Sequence, residues 1–256
     1  MLVLLPPSEG KRAAEAGAPV DLDALTFPAL APARTKALAA LLKLARGQRK
    51  RAIAMLGITA AQAGEVDRDA VLDTAPAAPA GEVYTGVLFQ HLDLATLPAD
   101  ALERAREQVL VASALWGVVA LDDRIPAYRL SMGARLPALT RGGLAAWWRP
   151  RLTAALPDEP GSLAVDLRSG SYAAAWRPSA ATTVEVKACT ADGRPISHMA
   201  KAVRGTVARR VLEAGRPPAT PAEVADLAGG DGAGRVELHE PARPSGAWTV
   251  LVFAVE

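Results

Sequence analysis

Lys11 is one of only six lysines in this chain. It stands in Met1-Leu-Val-Leu-Leu-Pro-Pro-Ser-Glu-Gly-Lys11, where an apolar run breaks into two prolines, a hydroxyl, a carboxylate, a glycine and an ammonium. That is an unusual ending for an edge strand. Proline removes a ladder donor and glycine permits a tight turn, so Ser8 and Lys11 are presented together at a strand mouth. Strand mouths are where sites form in mixed α/β domains. The plain alternative is a strand that stops in a solvated loop.

A second constellation runs from Ser113-Ala-Leu-Trp-Gly117 to Leu121-Asp-Asp-Arg-Ile-Pro126-Ala-Tyr-Arg129-Leu-Ser-Met-Gly133. Arg129 can grip a carboxylate or phosphate with its planar fork, and Tyr128 can donate to the same oxygen. Asp122, Asp123 and Arg124 could equally form an internal pair that fixes the loop. A third stretch is basic: Lys201, Arg204, Arg209 and Arg210 on one helix. Lys201 and Arg204 share a face, and His198 lies at its entrance. If that helix starts near Ser197, an anion would meet its N-terminal dipole as well as Lys201. A fourth, Arg46-Gly-Gln-Arg49-Lys50-Arg51, lies before a possible hairpin at Leu56-Gly57-Ile58, where backbone amides and cations would hold phosphates; a solvated helix face explains the same charges.

The elements that must position these groups follow from periodicity and punctuation. Leu2–Leu5, residues 109–115, 162–167 and 183–189 read as strands, and residues 236–238 and 248–255 as a closing hairpin. Residues 33–45, 48–56 and 59–65 read as three helices separated by glycine turns, with a helical turn near 21–25. Residues 101–108, 144–156, 199–214 and 221–227 read as further helices, the last beginning with Pro after the N-cap Thr220. Residues 75–80 read as a Pro/Ala linker and 83–85 as the start of a strand–turn element. The expected architecture is a single α+β domain over residues 1–256, built around a mixed sheet, with a small helical insertion at residues 33–70.

Bulk composition excludes several classes. Half the residues are apolar, yet no run is long enough to cross a bilayer, and the N-terminal run lacks the length and basic flank of a signal peptide. A cytoplasmic protein is expected. The single cysteine, Cys189, rules out an internal disulfide or a cysteine-rich zinc site and reads as a core residue. His91, His198 and His239 are scattered without metal-ligand spacing, so no metal is expected, and without a phosphate-cradling or dinucleotide glycine motif no cofactor is expected either. A net charge of +2 does not by itself mark a nucleic-acid binder.

Four of these segments occur together in the order of a known family. Leu2–Lys11, Gly81-Glu-Val-Tyr84-Thr-Gly86, Ser113–Gly133 and Ile196-Ser-His-Met-Ala-Lys201-Ala-Val-Arg204-Gly205 resemble the blocks of the YaaA peroxide-stress family, the Tyr-Arg-Leu-x-Met-Gly block most specifically. The resemblance implies a bacterial cytosolic protein of the hydrogen peroxide response that limits iron-dependent oxidative damage. It also implies an α+β fold with a helix–hairpin–helix element and a basic cleft that binds duplex DNA. The chain departs from the family pattern at Ala120-Leu121, where Arg-Pro is common, and at Ser131, where Glu is common. A third departure is Arg168-Ser-Gly-Ser-Tyr172-Ala-Ala-Ala-Trp176, where a Ser-x-Glu-Tyr-x-Lys pattern is usual. It resembles a divergent member.

Two functional readings remain open on these residues. In the first, Lys11, Arg129, Lys201 and Arg204 form a cleft that, with Arg49, Lys50 and Arg51, binds double-stranded DNA independently of sequence. In the second, an enzyme acts on a nucleotide or other phosphorylated small molecule. Lys11, Arg129 and Lys201 would then hold the phosphate, with Ser8, Asp123 and Tyr128 as catalytic candidates and Tyr84 among the residues expected to converge there. A structural scaffold would explain Gly86, Gly117, Gly133 and Gly205 but not Lys11 or Lys201.

Overall fold

The computed structural model describes residues 1–190, 192–194, 196, 199–230, 235–243 and 246–253. Its centre is set by the first strand, β1 (Leu2–Leu5), which pairs in parallel with β3 (Val109–Ser113) on one side and β6 (Leu163–Asp166) on the other. β1 is apolar throughout, and β3 and β6 are apolar up to their last residues, Ser113 and Asp166, as expected of strands buried on both faces. β1 is therefore an interior strand and not an edge strand. Pro6 and Pro7 come after its last ladder residue, so their missing donors cost the sheet nothing.

The sheet has seven strands in the order β4-β3-β1-β6-β7-β9-β8. β7 (Thr182–Cys189) and β9 (Trp248–Phe253) continue the parallel set, while β4 (Gly117–Ala120) and β8 (Val236–His239) run antiparallel at the two edges. The sheet is thus mixed, as expected, but mostly parallel. The parallel strands end at Leu5, Ser113, Asp166 and Cys189 along one edge, where side chains from remote segments meet.

Helices cover the sheet. α1 (Ala31–Ala45) packs on α2 (Arg49–Leu56) and α3 (Gly64–Asp69). The third helix, expected over residues 59–65, begins instead as a 3-10 turn at Ala60–Gln62. Thr59 and Gln62 cap that turn reciprocally, and the chain becomes α-helical only from Gly64. The turn expected near 21–25 does not become helix, and a 3-10 turn falls at Pro28–Leu30. The supposed linker contains β2 (Ala78–Pro79), which pairs with β5 (Arg124–Ile125). The strand expected at 83–85 is replaced by α4 (Ala80–Val83), after which Tyr84 makes a single antiparallel bridge to Lys11.

α5 (Val87–Leu92), not anticipated from the sequence, lies across α9 (Ala200–Glu213). Gly205 sits at this crossing: a Cβ there would run into the Leu88 carbonyl oxygen and come within 2.7 Å of His91 Cβ. α6 (Ala99–Gln108) leads into β3, and α7 (Leu144–Ala155) brings Trp148 onto the β3–β4 turn. The Trp148 indole N–H donates to Ala114 O at 2.8 Å, and its ring lies 2.7 Å from where a Cβ on Gly117 would be. With φ at 75°, Gly117 is required for both turn and packing. α8 (Gly170–Ala173) follows β6, and α10 (Pro221–Gly229) is capped by Thr220 as its sequence foretold.

Candidate functional site

Lys11 reaches the site from the loop that leaves β1. The Ser8 hydroxyl donates to Gly10 O, closing the turn, and the Lys11 ammonium donates to Ser8 O at 2.7 Å. The amine then lies over two aromatic faces, 4.3 Å from the centre of the Tyr128 ring and 5.5 Å from that of Tyr84. Among the described residues no carboxylate comes within ion-pair distance of it. Burial, and then the positive charge of Arg129, push its pKa down to about 7; Asp69, Glu65 and Glu9 pull the other way without prevailing.

Beneath the amine runs a line of buried hydroxyls. Tyr84 and Tyr128 share a 3.0 Å hydrogen bond, and Tyr128 and Ser113 share one of 2.7 Å. Ser113 Oγ also accepts the N–H groups of Leu115 at 3.2 Å and Trp116 at 2.9 Å. Both lone pairs of that oxygen are then taken, so its hydrogen goes to Tyr128. One hydroxyl hydrogen of the tyrosine pair is left for a third acceptor. Burial raises both phenols above the ordinary tyrosine range, which keeps them protonated.

Asp69, the last residue of α3, is fully buried and near enough for its charge to act on the Lys11 amine. Its Oδ1 accepts the Arg129 backbone N–H at 2.8 Å, while Oδ2 has no partner among the described residues. Burial raises its pKa to about 7, against the lowering effect of that N–H; Glu65 raises it further, and Lys11 and Arg68 oppose. Arg129 extends its guanidinium toward the mouth, where it meets Glu9 at 3.3 Å. Tyr172 of α8 closes the group, its phenol pushed up to about 12 by burial. A primary amine and a carboxylic acid, both titrating near neutrality beside phenols and a guanidinium, are equipment for proton transfer and amine chemistry on an anionic molecule.

The structure brings together Ser8, Lys11, Tyr84, Tyr128 and Arg129, and leaves the other candidates apart from them. Asp123 is occupied elsewhere: Oδ1 accepts from the Thr26 N–H at 2.8 Å and its hydroxyl at 2.9 Å, and Oδ2 accepts from the Ala120 N–H at 2.9 Å. Those bonds pin the turn after β4. Asp122 and Arg124 do not pair with each other; Asp122 meets Arg106 at 3.4 Å and Arg124 donates to Ala77 O at 2.6 Å. Arg204 turns inward, donating to Val186 O at 3.3 Å and facing Asp166 and Glu185, with burial lowering its pKa. Arg209 and Arg210 likewise bind backbone carbonyls. Lys201 is exposed on the first turn of α9, and the charges felt most by the Lys11 amine do not include it. Ser197 and His198 lie outside the described residues.

On α2, Arg49 pairs with Asp67 at 2.8 Å, whereas Lys50 and Arg51 are exposed and without an ion pair among the described residues. The helix ends at Gly57, in the left-handed conformation with open space over it. In the departing segment, Arg168 grips Asp166 with two bonds of 2.8 and 2.7 Å, a buried pair at the end of β6. Sequence reasoning missed Asp69, Glu9 and Tyr172 as site residues. One signal for Asp69 existed: a carboxylate in the last turn of a helix opposes the dipole and wants a reason to be there. Among the described residues no three His, Cys, Asp or Glu side chains gather as metal ligands, and no helix is long and apolar enough to cross a membrane.

A family model described as "Peroxide stress protein YaaA" matches residues 1–229. A UPF0246 protein of Streptomyces coelicolor is 45% identical over 261 residues, covering 100% of this chain and 99% of its own. One from Corynebacterium efficiens is 40% identical, covering 94% and 96%, and one from Jannaschia is 31% identical, covering 70% and 73%.

Proposed function

This chain belongs to the YaaA family of peroxide stress proteins, and from that premise we propose that it holds duplex DNA in the cytosol through phosphate contacts, without reading base sequence. The observation that carries this reading is where the charge sits. Leaving out the buried Arg34 and Asp69, residues 31–73 carry seven basic side chains against three acidic ones, in a chain whose net charge is only +2. Lys50 and Arg51 of that unit are exposed on the first turn of α2, a helix that closes at its far end on the Gly57 turn. Lys201, exposed at the start of α9, adds a further cation. Neutralising phosphates releases the cations condensed along DNA, ferrous iron among them, so radicals would form farther from the duplex. Binding of this kind limits iron-dependent damage without an iron site on the protein.

A mobility-shift titration on two duplexes of unrelated sequence tests the reading. Both should shift with similar affinity, and that affinity should fall steeply with salt. Lys50→Glu with Arg51→Glu should weaken binding by at least about tenfold and flatten the salt dependence. Unchanged binding by the double variant would overturn it.

A second reading rests on a different observation, the Lys11–Asp69–Tyr128 cluster, which is more elaborate than phosphate contacts require. In it the protein is an enzyme whose substrate is a nucleotide or another phosphorylated small molecule, its phosphate anchored by Arg129. Thermal-shift measurements favour this reading if one nucleotide or sugar phosphate raises the melting temperature and duplex DNA does not.

A further inference from the structure

We propose that the Lys11 amine is a nucleophile that forms an imine with the aldehyde or ketone carbonyl of a phosphate-bearing sugar. The inference deepens the second reading, since it rests on the Lys11 cluster being a ligand site, and it does not depend on DNA binding by α2. The other five lysines, at 36, 43, 50, 187 and 201, are all exposed; Lys11 alone is half-buried. It is also held in place, by its backbone bridge to Tyr84, its bond to Ser8 O and the two tyrosine faces. An amine without a carboxylate partner in a desolvated site keeps a lone pair available at neutral pH, the condition for amine nucleophiles. Arg129 supplies the anion anchor, and its exposed partner Glu9 is readily exchanged for a phosphate.

The step balances without a redox partner. The nitrogen lone pair attacks the carbonyl carbon, a C–N bond forms, and the former carbonyl oxygen takes a proton. Nitrogen then passes one of its protons to that oxygen, which leaves as water as the C=N bond forms, and the iminium loses its remaining N–H proton, leaving imine plus water. The buried acid Asp69, whose Oδ2 has no partner among the described residues, is the group suited to give the first proton and recover the last. The charged and titratable groups around the amine are Arg129 beyond β5, Asp69 and Glu65 of α3, Glu9 of its own loop, and the phenols of Tyr84 and Tyr128.

Borohydride reduction traps such an imine as a stable secondary amine. The full chain is incubated with a duplex bearing an abasic site, with the intact duplex, and separately with glyceraldehyde 3-phosphate, then reduced and mapped by peptide mass spectrometry. The expected result is an adduct on Lys11, at least tenfold above any exposed lysine, for one or both carbonyl probes and none for the intact duplex. Lys11→Arg, which keeps the charge and is checked for folding by its melting temperature, should abolish it. Asp69→Asn should slow trapping. The trapping rate should rise through about pH 7, as the amine loses its proton, instead of near 10.5. Adduct with the abasic duplex alone assigns the carbonyl to damaged DNA, and adduct with the small aldehyde alone assigns it to a metabolite. A small-molecule adduct in a protein that shifts no DNA leaves the imine standing and removes the DNA reading. Labelling spread evenly over exposed lysines, or no adduct on wild-type Lys11 with either carbonyl, overturns the proposal.

Discussion

Arg34 and Lys11 are two cations withdrawn from water and treated in opposite ways. Arg34, with no exposed surface, spends its fork on four backbone carbonyls: Trp116 O at 3.1 Å, Phe27 O at 3.4 Å, Thr26 O at 2.7 Å and Val118 O at 2.9 Å. Burial lowers its pKa to about 10, with Asp123 opposing, so it stays charged at neutral pH. Lys11 has one carbonyl and two ring faces, and its pKa falls to about 7. A cation with four of its five N–H donors bonded to core carbonyls is holding the fold together; one left short of partners is kept ready for something else. The two are linked by one turn. Residues 113–118 turn the N–H groups of Leu115 and Trp116 toward Ser113 and the hydroxyl line, and the carbonyls of Trp116 and Val118 toward Arg34.

The largest effect that tests this contrast is Arg34→Met. Four carbonyls would lose their donor inside the core, for a loss of about 3–5 kcal/mol in denaturant unfolding. Arg34→Lys should recover only part of it, since an ammonium cannot reproduce the fork. A loss under about 1 kcal/mol would break the comparison. Ser113→Ala acts on the shared turn by stripping two buried N–H groups of their acceptor, at about 1–3 kcal/mol; it should also disturb labelling of Lys11. Tyr128→Phe removes one buried hydroxyl from the line, and unfolding should show a smaller loss of about 1 kcal/mol.

Lys11→Met should act with the opposite sign. The folded amine titrates near 7 and the unfolded one near 10.5, so between those values the unfolded chain binds more protons and wild-type stability rises with pH. The burden of a charged Lys11 is therefore full below pH 7. Lys11→Met should be at least as stable as wild type there, an advantage that fades between pH 7 and 10.5. Asp69 runs the other way: its raised pKa of about 7 burdens the fold fully above pH 7 and is relieved as the pH falls toward 4. Melting temperatures across this range read both slopes, and a Lys11→Met variant less stable than wild type at pH 6 would show that the amine serves the fold.

Much of the architecture could be read from local pattern. The helices at Ala31–Ala45, Arg49–Leu56 and Ala200–Glu213 and the strand at Thr182–Cys189 lie within two residues of their expected bounds. The Thr220 cap accepts the Glu223 N–H as the Thr-Pro start implied. What escaped was held by partners far away. α5 has only six residues and gains its stability by lying across α9 at Gly205, more than a hundred positions on. β2 is two residues long and exists because Arg124–Ile125 pairs with it.

The same division runs through the site. Residue type and spacing alone marked Lys11, Tyr128 and Arg129 as carriers of chemistry, because prolines, glycines and a scarce ammonium at a strand mouth are visible in one dimension. That Arg204 points inward, that Asp123 is consumed by a turn, and that the Asp69 charge reaches Lys11 were decided by the fold. Periodicity and capping are local properties, carried by residues a few positions apart. A proton affinity is set by how much water is removed and which charges remain nearby, and here those charges arrive from α3 and the Arg129 loop, along with the protein that shuts the water out.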